Sequence, residues 1–271
     1  MTVPAPSAED AIPPAVHTDI RRRLAAIETE HGIRVLYACE SGSRGWGFAS
    51  PDSDYDVRFL YAHPLSWYLR VSPGRDVIEL PISDELDING WELRKALGLL
   101  KKGNATLIEW LDSPVVYRAD AGFLAALRDA ARRTHQPARS FHHYLHMARG
   151  NYRQYLRGDS VRLKKYLYVL RPLLAALWIE QGRGSAPMPF QQLVDAMVTD
   201  AELRAAIDRL LAIKRSAVEA ERVAPMPVLN RFIDAQLTRL ESVSPPAAGE
   251  TDFAILDRLL RDTVTRVSED A

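Results

Sequence analysis

The stretch LYACESGSRGWGFASPDSDYDVRFLY, residues 36–61, decides the fold, because it predicts two strands joined by a glycine-rich turn. The apolar run Val35–Cys39 is typical of a buried strand. The turn Gly42–Gly47 contains three glycines in six residues. Glycine tolerates the dihedral angles that let successive backbone N–H groups point at one anion. After the polar turn Ser50–Ser53 an extended pattern resumes at Asp54, so we expect a second strand to follow an anion-binding turn.

Two aspartates, Asp54 and Asp56, begin this second strand and are separated by one residue. Side chains alternate along a strand, so both carboxylates are predicted on one face, with Tyr55 and Val57 on the other. Adjacent carboxylates repel, which raises the pKa of one of them unless a cation lies nearby. Mg²⁺ prefers oxygen ligands, often one or two carboxylates together with substrate phosphates. The pattern therefore predicts metal-assisted chemistry on a nucleoside triphosphate.

The order of these motifs resembles the DNA polymerase β-like nucleotidyltransferase superfamily, in which a Gly-Ser or Gly-Gly pair precedes Asp-x-Asp on a strand. Here Gly42 and Ser43 are followed by Asp54, eleven residues after the serine, and by Asp56. Three longer strings are similar to a bacterial subfamily, the RNA repair pathway DNA polymerase beta family: GSRGWGFASPDSDYDVRF, DINGWELRKAL and KKYLYVLRPLLA. The resemblance extends over residues 17–245.

The resemblance implies a third carboxylate on a later strand. Asp87 matches it best, with Asp84 or Glu85 as alternatives if the register is shifted. It further implies that Asp54, Asp56 and Asp87 are the catalytic residues and hold the metal. The expected cofactor is Mg²⁺, as two ions about 4 Å apart, with Mn²⁺ as an alternative.

A second set of residues is expected to hold the nucleotide. The backbone of Gly42 and Ser43, together with the Ser43 hydroxyl, would contact the β and γ phosphates. Positive charge for the leaving group would come from basic side chains in the turn and in a later helix. The predicted nucleotide-binding set is Gly42, Ser43, Arg44, Lys164, Tyr168 and Arg171.

The later helix is predicted over Val161–Gln181, where leucines form an apolar stripe typical of a core-facing surface. Lys164, Tyr168 and Arg171, at positions i, i+4 and i+7, form a second stripe beside it. The surrounding segment Arg139–Arg171 carries eight bases, one acid and five tyrosines. Bases interleaved with aromatic rings suit phosphates and stacked nucleobases. An ordinary amphipathic helix with solvated bases is the alternative interpretation.

Composition sets broader limits on the chain. Its 271 residues predict one large domain or two small ones, and its formal net charge of zero gives no overall argument for nucleic-acid binding. A single cysteine, Cys39, cannot form a disulfide within the chain, which favours a reducing cytoplasm. Met1–Ala15 has no apolar core of signal-peptide length, and no apolar run reaches about 18 residues, so no membrane span is expected.

The predicted fold class is α+β, with a small mixed β-sheet and packed helices followed by an all-helical C-terminal module. The first helix is predicted over His17–His31 and four strands lie between residues 33 and 89. The predicted domains are a flexible arm at 1–15, a catalytic domain at 16–118 and a helical domain at 119–271.

The pattern and the resemblance together predict a cytoplasmic, metal-dependent nucleotidyltransferase. Its partner would be a nucleoside triphosphate, whose nucleoside monophosphate moves to a hydroxyl acceptor, with an RNA end as the leading candidate. Nucleotidylation of a protein or a small molecule remains an alternative. A non-catalytic nucleotide-binding or interaction module is the alternative from a different class. The base preference and the oligomeric state stay open.

Overall fold

The computed structural model describes residues 12–83, 85–216, 222–247 and 251–270. Residues 1–11 of the expected arm, and Asp84, lie outside the described residues. The predicted α+β class is confirmed, since a five-stranded mixed sheet is covered by helices. Within the described part of the chain, no helix combines the length and hydropathy that a membrane crossing requires.

The first half of the chain contains all five strands of the main sheet. In chain order its elements are α1 (Pro14–His31), β1 (Arg34–Glu40), α2 (Gly42–Trp46), β2 (Tyr55–Ala62), α3 (Leu65–Tyr68), β3 (Val77–Glu79), β4 (Leu86–Glu92), α4 (Leu93–Lys101), α5 (Ala105–Leu111), β5 (Val116–Ala119) and α6 (Ala121–Arg133). The strands lie in the order β3-β4-β2-β1-β5, with β2 and β4 parallel and the other neighbours antiparallel.

The second half is dominated by helices. Its elements are α7 (Pro137–Tyr155), β6 (Val161–Arg162), α8 (Lys164–Glu180), α9 (Phe190–Met197), α10 (Ala201–Ser216), β7 (Arg222–Val223), α11 (Pro227–Arg239), a 3₁₀ turn (Leu240–Ser242) and α12 (Ala254–Glu269). The strands β6 and β7 pair with each other, so the predicted all-helical module also contains a two-residue β-ribbon.

Two expectations from the sequence need correction. The stretch Gly42–Trp46, predicted as a turn, is a short helix that Gly47 ends with a left-handed φ of 86°. Strand β5 was not predicted, because four residues are too few to show a period.

Polar side chains set the bounds of nearby elements, since Asn104 accepts a hydrogen bond from the Leu107 N–H and begins α5.

The predicted domain boundary after residue 118 does not follow the packing. One face of the sheet packs on α1, and the other packs on α4, α5, α6 and α12 in a single apolar cluster. Helices α6 and α12 therefore belong with the sheet, although both fall in the predicted helical domain. A separate apolar cluster joins α7 to α11 and includes Phe48 from the loop after α2. That contact places the helical part beside the glycine-rich segment.

Candidate active site

The glycine-rich segment lies directly against the first carboxylate of β2. Gly42 has a φ of 55°, and a Cβ added to it would lie 1.9 Å from Oδ2 of Asp56. The Ser41 N–H donates to the Asp56 carbonyl at 2.8 Å, which fixes the segment over the strand. A side chain at residue 42 would therefore be strained by the left-handed backbone and would force the Asp56 carboxylate to move.

The predicted third carboxylate lies beside Asp56. In the parallel pair of β2 and β4, Asp56 is opposite Asp87, and both side chains are partly exposed. Of the two alternatives, Asp84 lies outside the described residues, and Glu85 is an exposed residue with a φ of 68° that precedes β4. The register therefore brings Asp87 next to Asp56.

An arginine that the sequence analysis missed joins these two carboxylates. One terminal nitrogen of Arg58 lies 3.1 Å from Oδ1 of Asp56 and 2.7 Å from Oδ2 of Asp87. Its other terminal nitrogen donates to the Asp87 carbonyl at 2.9 Å. Arg58 follows Asp56 by two residues, so the strand period that groups the aspartates also places Arg58 on their face.

The remaining predicted metal ligand, Asp54, is exposed and lies just before β2. Within the described residues, no three carboxylate, histidine or cysteine side chains converge as a ready metal site. Asp56 and Asp87 nevertheless hold a cationic group between them and present the oxygen donors that Mg²⁺ prefers. The pair therefore fits a divalent cation once Arg58 moves aside.

The buried carboxyl group of Glu40 holds the backbone of Asp56 in position. Glu40, at the end of β1, is fully buried and accepts a hydrogen bond from the Asp56 N–H at 2.8 Å. Its other oxygen accepts from the Tyr117 hydroxyl. Burial raises the pKa of Glu40 to about 7, against the lowering effect of these hydrogen bonds. The sequence feature that indicates such a role is an acidic residue at the end of an apolar strand, and the sequence analysis did not include it.

Arg44 is buried and holds the loop before Asp54. Its guanidinium donates to the Ser53 carbonyl at 2.6 Å and to the Asp54 carbonyl at 3.2 Å. It also lies 3.9 Å above the centre of the Tyr55 ring. These contacts give Arg44 a positioning role, which differs from the phosphate contact predicted for it.

Arg171 is also buried, with 2 % of its surface exposed. It forms an ion pair of 2.8 Å with Glu109, donates to the Met188 carbonyl and lies over the Trp46 ring. The predicted contact with a nucleotide does not agree with this placement, because the guanidinium already has its partners inside the protein. The stripe is helical, as predicted, but α8 presents Arg171 to Glu109 of α5.

The other two predicted helix residues lie nearer the surface. Lys164 and Tyr168 are half-buried, and the Tyr168 ring contacts the Trp46 ring edge-on at 5.9 Å. Lys165, which was not predicted, lies 3.9 Å from the ring centre of Tyr155 and 4.9 Å from that of Tyr168. We call Tyr155, Lys165 and Tyr168 the aromatic–lysine surface. It is connected through Trp46 to the glycine-rich segment.

The helical part also supports the loop before β2 through Lys214. This side chain, in α10, is buried, and its Nζ lies 2.5 Å from Ser50 Oγ and 3.4 Å from Ser53 Oγ. Ser43, the predicted phosphate ligand, lies at the start of α2 and is 8 % exposed. The loop that carries Asp54 is thus fixed from both halves of the chain.

A family model agrees with the resemblance found in the motifs. The model of the RNA repair pathway DNA polymerase beta family matches residues 16–262. An uncharacterized protein of Bacillus subtilis strain 168, YcgL, is 45% identical over 249 residues, which span 91% of this chain and 96% of that protein. A crystal structure of a nucleotidyltransferase-like protein from Exiguobacterium sibiricum aligns at 13% identity and a TM-score of 0.29, over 93% of this chain and 77% of that one.

Proposed function

This chain belongs to the RNA repair pathway DNA polymerase beta family, and from that premise we propose that it is a metal-dependent nucleotidyltransferase. It moves a nucleoside monophosphate from a nucleoside triphosphate to a hydroxyl acceptor, and pyrophosphate leaves. The observation that carries the proposal is the close approach of Gly42 to Asp56, with Asp87 beside it. A phosphate-binding segment built against paired carboxylates is what this transfer requires.

The residues divide into those that hold the metal and those that hold the substrate. Asp56 and Asp87 would hold Mg²⁺, with Asp54, from the loop before β2, as the third proposed ligand; Mn²⁺ is the alternative metal. When bound, the metal polarises the phosphate oxygens and lowers the pKa of the attacking hydroxyl. Gly42 and Ser43 bind the phosphates along the start of α2. Glu40 keeps Asp56 in place through the backbone N–H.

The proposed acceptor is an RNA end. The description of the family supports it, and so does the aromatic–lysine surface, where a cation lies between two rings. Flat rings beside a positive charge suit unpaired nucleotides of any sequence. Acceptors of other kinds, a protein or a small molecule, are distinguished from RNA by the experiment below.

One observation favours a different class, a non-catalytic nucleotide-binding module. Arg58 already forms ion pairs with both Asp56 and Asp87, so a cationic group lies between the two carboxylates without a metal. In such a module the arginine would stay in place, and the nucleotide would bind without turnover. Transfer that requires Asp56 therefore separates the two functions.

The test supplies the purified protein with Mg²⁺ and each α-labelled nucleoside triphosphate in turn. Total RNA, total protein or no acceptor is added in parallel. We expect label in RNA, with loss of at least about 100-fold in Asp56→Asn and in Asp87→Asn. Asp129→Asn, in a surface ion pair of α6, is the matched control and should retain activity.

Each outcome of this experiment bears on the acceptor, on the assigned site or on the class of function. Label in protein would move the acceptor from RNA to a protein substrate, whereas the enzyme class would stand. Undiminished labelling by a folded Asp56→Asn variant would contradict the assigned site. Nucleotide binding without label in any lane would favour the non-catalytic module.

A further inference from the structure

A cavity of about 280 Å³ lies at the opposite end of β2 from Asp56. It is bounded by Tyr61 and His63 at the end of the strand, by Trp67 of α3 and by the segment that leads into β3. Tyr61 follows Asp56 by five residues, a separation of roughly 16 Å along a strand. The cavity is therefore separate from the candidate active site, and the proposed function gives it no role.

One wall of the cavity is a fixed set of aromatic rings. His63 stacks on Trp67 with ring centres 4.2 Å apart and planes 8° from parallel, and Tyr61 meets His63 edge-on at 5.6 Å. A Cβ on Gly74 would lie 2.7 Å from the Trp67 ring, so this glycine allows the backbone to cover the tryptophan. The rings are thus held in place before any ligand arrives, which reduces the entropy lost on binding.

A hydroxyl without a partner points to a missing ligand. Tyr61 is fully buried, and its hydroxyl makes no hydrogen bond with any described residue. Buried polar groups almost always have a partner, because leaving one unsatisfied is costly. A ligand in the cavity would supply that partner.

The charged residues around the cavity favour an anion. Arg70 is exposed and has no ion pair among the described residues. Burial, followed by the positive charges of Arg70 and His31, lowers the pKa of His63 to about 4. Arg75 pairs with Glu79 at 2.8 Å, and the same carboxylate also accepts from Asn89. Glu79 is therefore paired. Of the two carboxylates whose charge also reaches Tyr61, Asp76 pairs with Lys95 at 3.1 Å and Glu92 accepts hydrogen bonds from the Tyr68 hydroxyl and from backbone N–H groups, whereas Arg70 has no ion pair among the described residues.

We propose that this cavity binds a small organic anion that carries a flat ring. Arg70 binds the anionic group, the His63 edge of the aromatic wall contacts the ring, and the Tyr61 hydroxyl forms a hydrogen bond with the ligand. The volume, just below the range of drug-sized pockets, suits a nucleoside monophosphate or a smaller aromatic carboxylate. Both kinds of ligand carry an aromatic ring and a negatively charged group.

The test measures binding by calorimetry to the full chain in EDTA, so that metal-dependent nucleotide binding at the carboxylates is absent. The probes are AMP, UMP, 4-hydroxybenzoate, inorganic phosphate and uncharged adenosine. We expect one saturable site per chain for at least one of the ring-bearing anions. Arg70→Ala should weaken it by about 10-fold or more, since a hydrogen bond to a charged group is lost. Arg22→Ala, an exposed arginine of α1, is the matched control and should bind as the wild type does.

Tyr61→Phe provides a second readout that does not depend on the charge. It removes a buried hydroxyl that has no described partner, so the melting temperature without ligand should stay or rise. The ligand-induced rise in melting temperature should shrink in the same variant. The proposal is overturned by absence of saturation with every ring-bearing anion, by phosphate alone binding equally well, or by full affinity in Arg70→Ala.

Discussion

Oδ2 of Asp56 lies 1.9 Å from the position that a Cβ on Gly42 would take. Gly42→Ala therefore forces the carboxylate to move and also places alanine at a φ of 55°, which costs roughly 1–2 kcal/mol. We expect nucleotidyl transfer to fall by about 100-fold or more, because a displacement of that size disrupts catalytic geometry. Labelled-nucleotide transfer measures the loss, and urea unfolding measures the stability.

Gly47→Ala is the matched control for that change. Its φ is 86°, so it carries similar backbone strain, but nothing lies within 4 Å of an added Cβ. It should lose stability and retain most of the activity. Equal loss of activity in both variants would mean that strain in the segment, rather than the contact with Asp56, explains the effect.

Arg58 and the metal should compete for Asp56 and Asp87. Arg58→Gln removes the charge that now pairs with both carboxylates, so the metal-free protein should lose about 1–3 kcal/mol of unfolding free energy. The same change should tighten Mn²⁺ binding by about 10-fold or more, because no cation must first be displaced. Calorimetric titration and melting temperatures with and without Mn²⁺ check both effects. Weaker metal binding in the variant would show that Arg58 supports the metal instead of replacing it.

Glu40 should make stability depend on pH in a defined window. Its pKa rises from 4.5 to about 7 on folding, so the folded protein binds more protons than the unfolded chain between these values. The stability tied to Glu40 is thus fully present below pH 4.5 and is lost as the pH rises through about 7. The loss is on the order of 3 kcal/mol.

Glu40→Gln isolates this effect from the other titrating groups. Urea unfolding of the variant and the wild type at several pH values gives the difference in their free energies. We expect that difference to shift in favour of the variant as the pH rises from 4.5 to about 7, and to be constant above. A difference that does not change with pH would contradict the raised pKa.

The local features of this chain were readable from its sequence, and the long-range contacts were not. The bounds of α5 and α6 follow from capping residues, since the side chains of Asn104 and Asp120 accept hydrogen bonds from backbone N–H groups in the first turns of these helices. Arg171 shows the limit, because Glu109, which lies 62 residues earlier in the chain, determines where its guanidinium lies. A helical stripe indicates a second surface without saying whether that surface faces a cleft or a neighbouring helix.

In the candidate site, too, the local features could be predicted from the sequence and the long-range contacts could not. The pairing of Asp56 with Asp87 was expected only through the resemblance, and it depends on the register of two parallel strands. Lys214 could not be predicted, since it reaches Ser50 from 164 positions away. The position of Arg58, by contrast, could have been predicted, because the strand period that places Asp54 and Asp56 on one face also places Arg58 there.

The aromatic–lysine surface predicts how the acceptor binds. Lys165→Ala should weaken binding of single-stranded RNA and lower the salt slope of log K by about 1, because one phosphate contact is lost. The KM for the nucleoside triphosphate should stay unchanged, since Lys165 is not among the residues proposed for the nucleotide. Lys102→Ala, an exposed lysine at the end of α4, is the matched control and should leave the RNA affinity as it is. Fluorescence anisotropy with a labelled oligonucleotide at several salt concentrations gives the slope. If Lys165→Ala changes neither affinity nor slope while transfer to RNA persists, the acceptor must bind elsewhere on the chain.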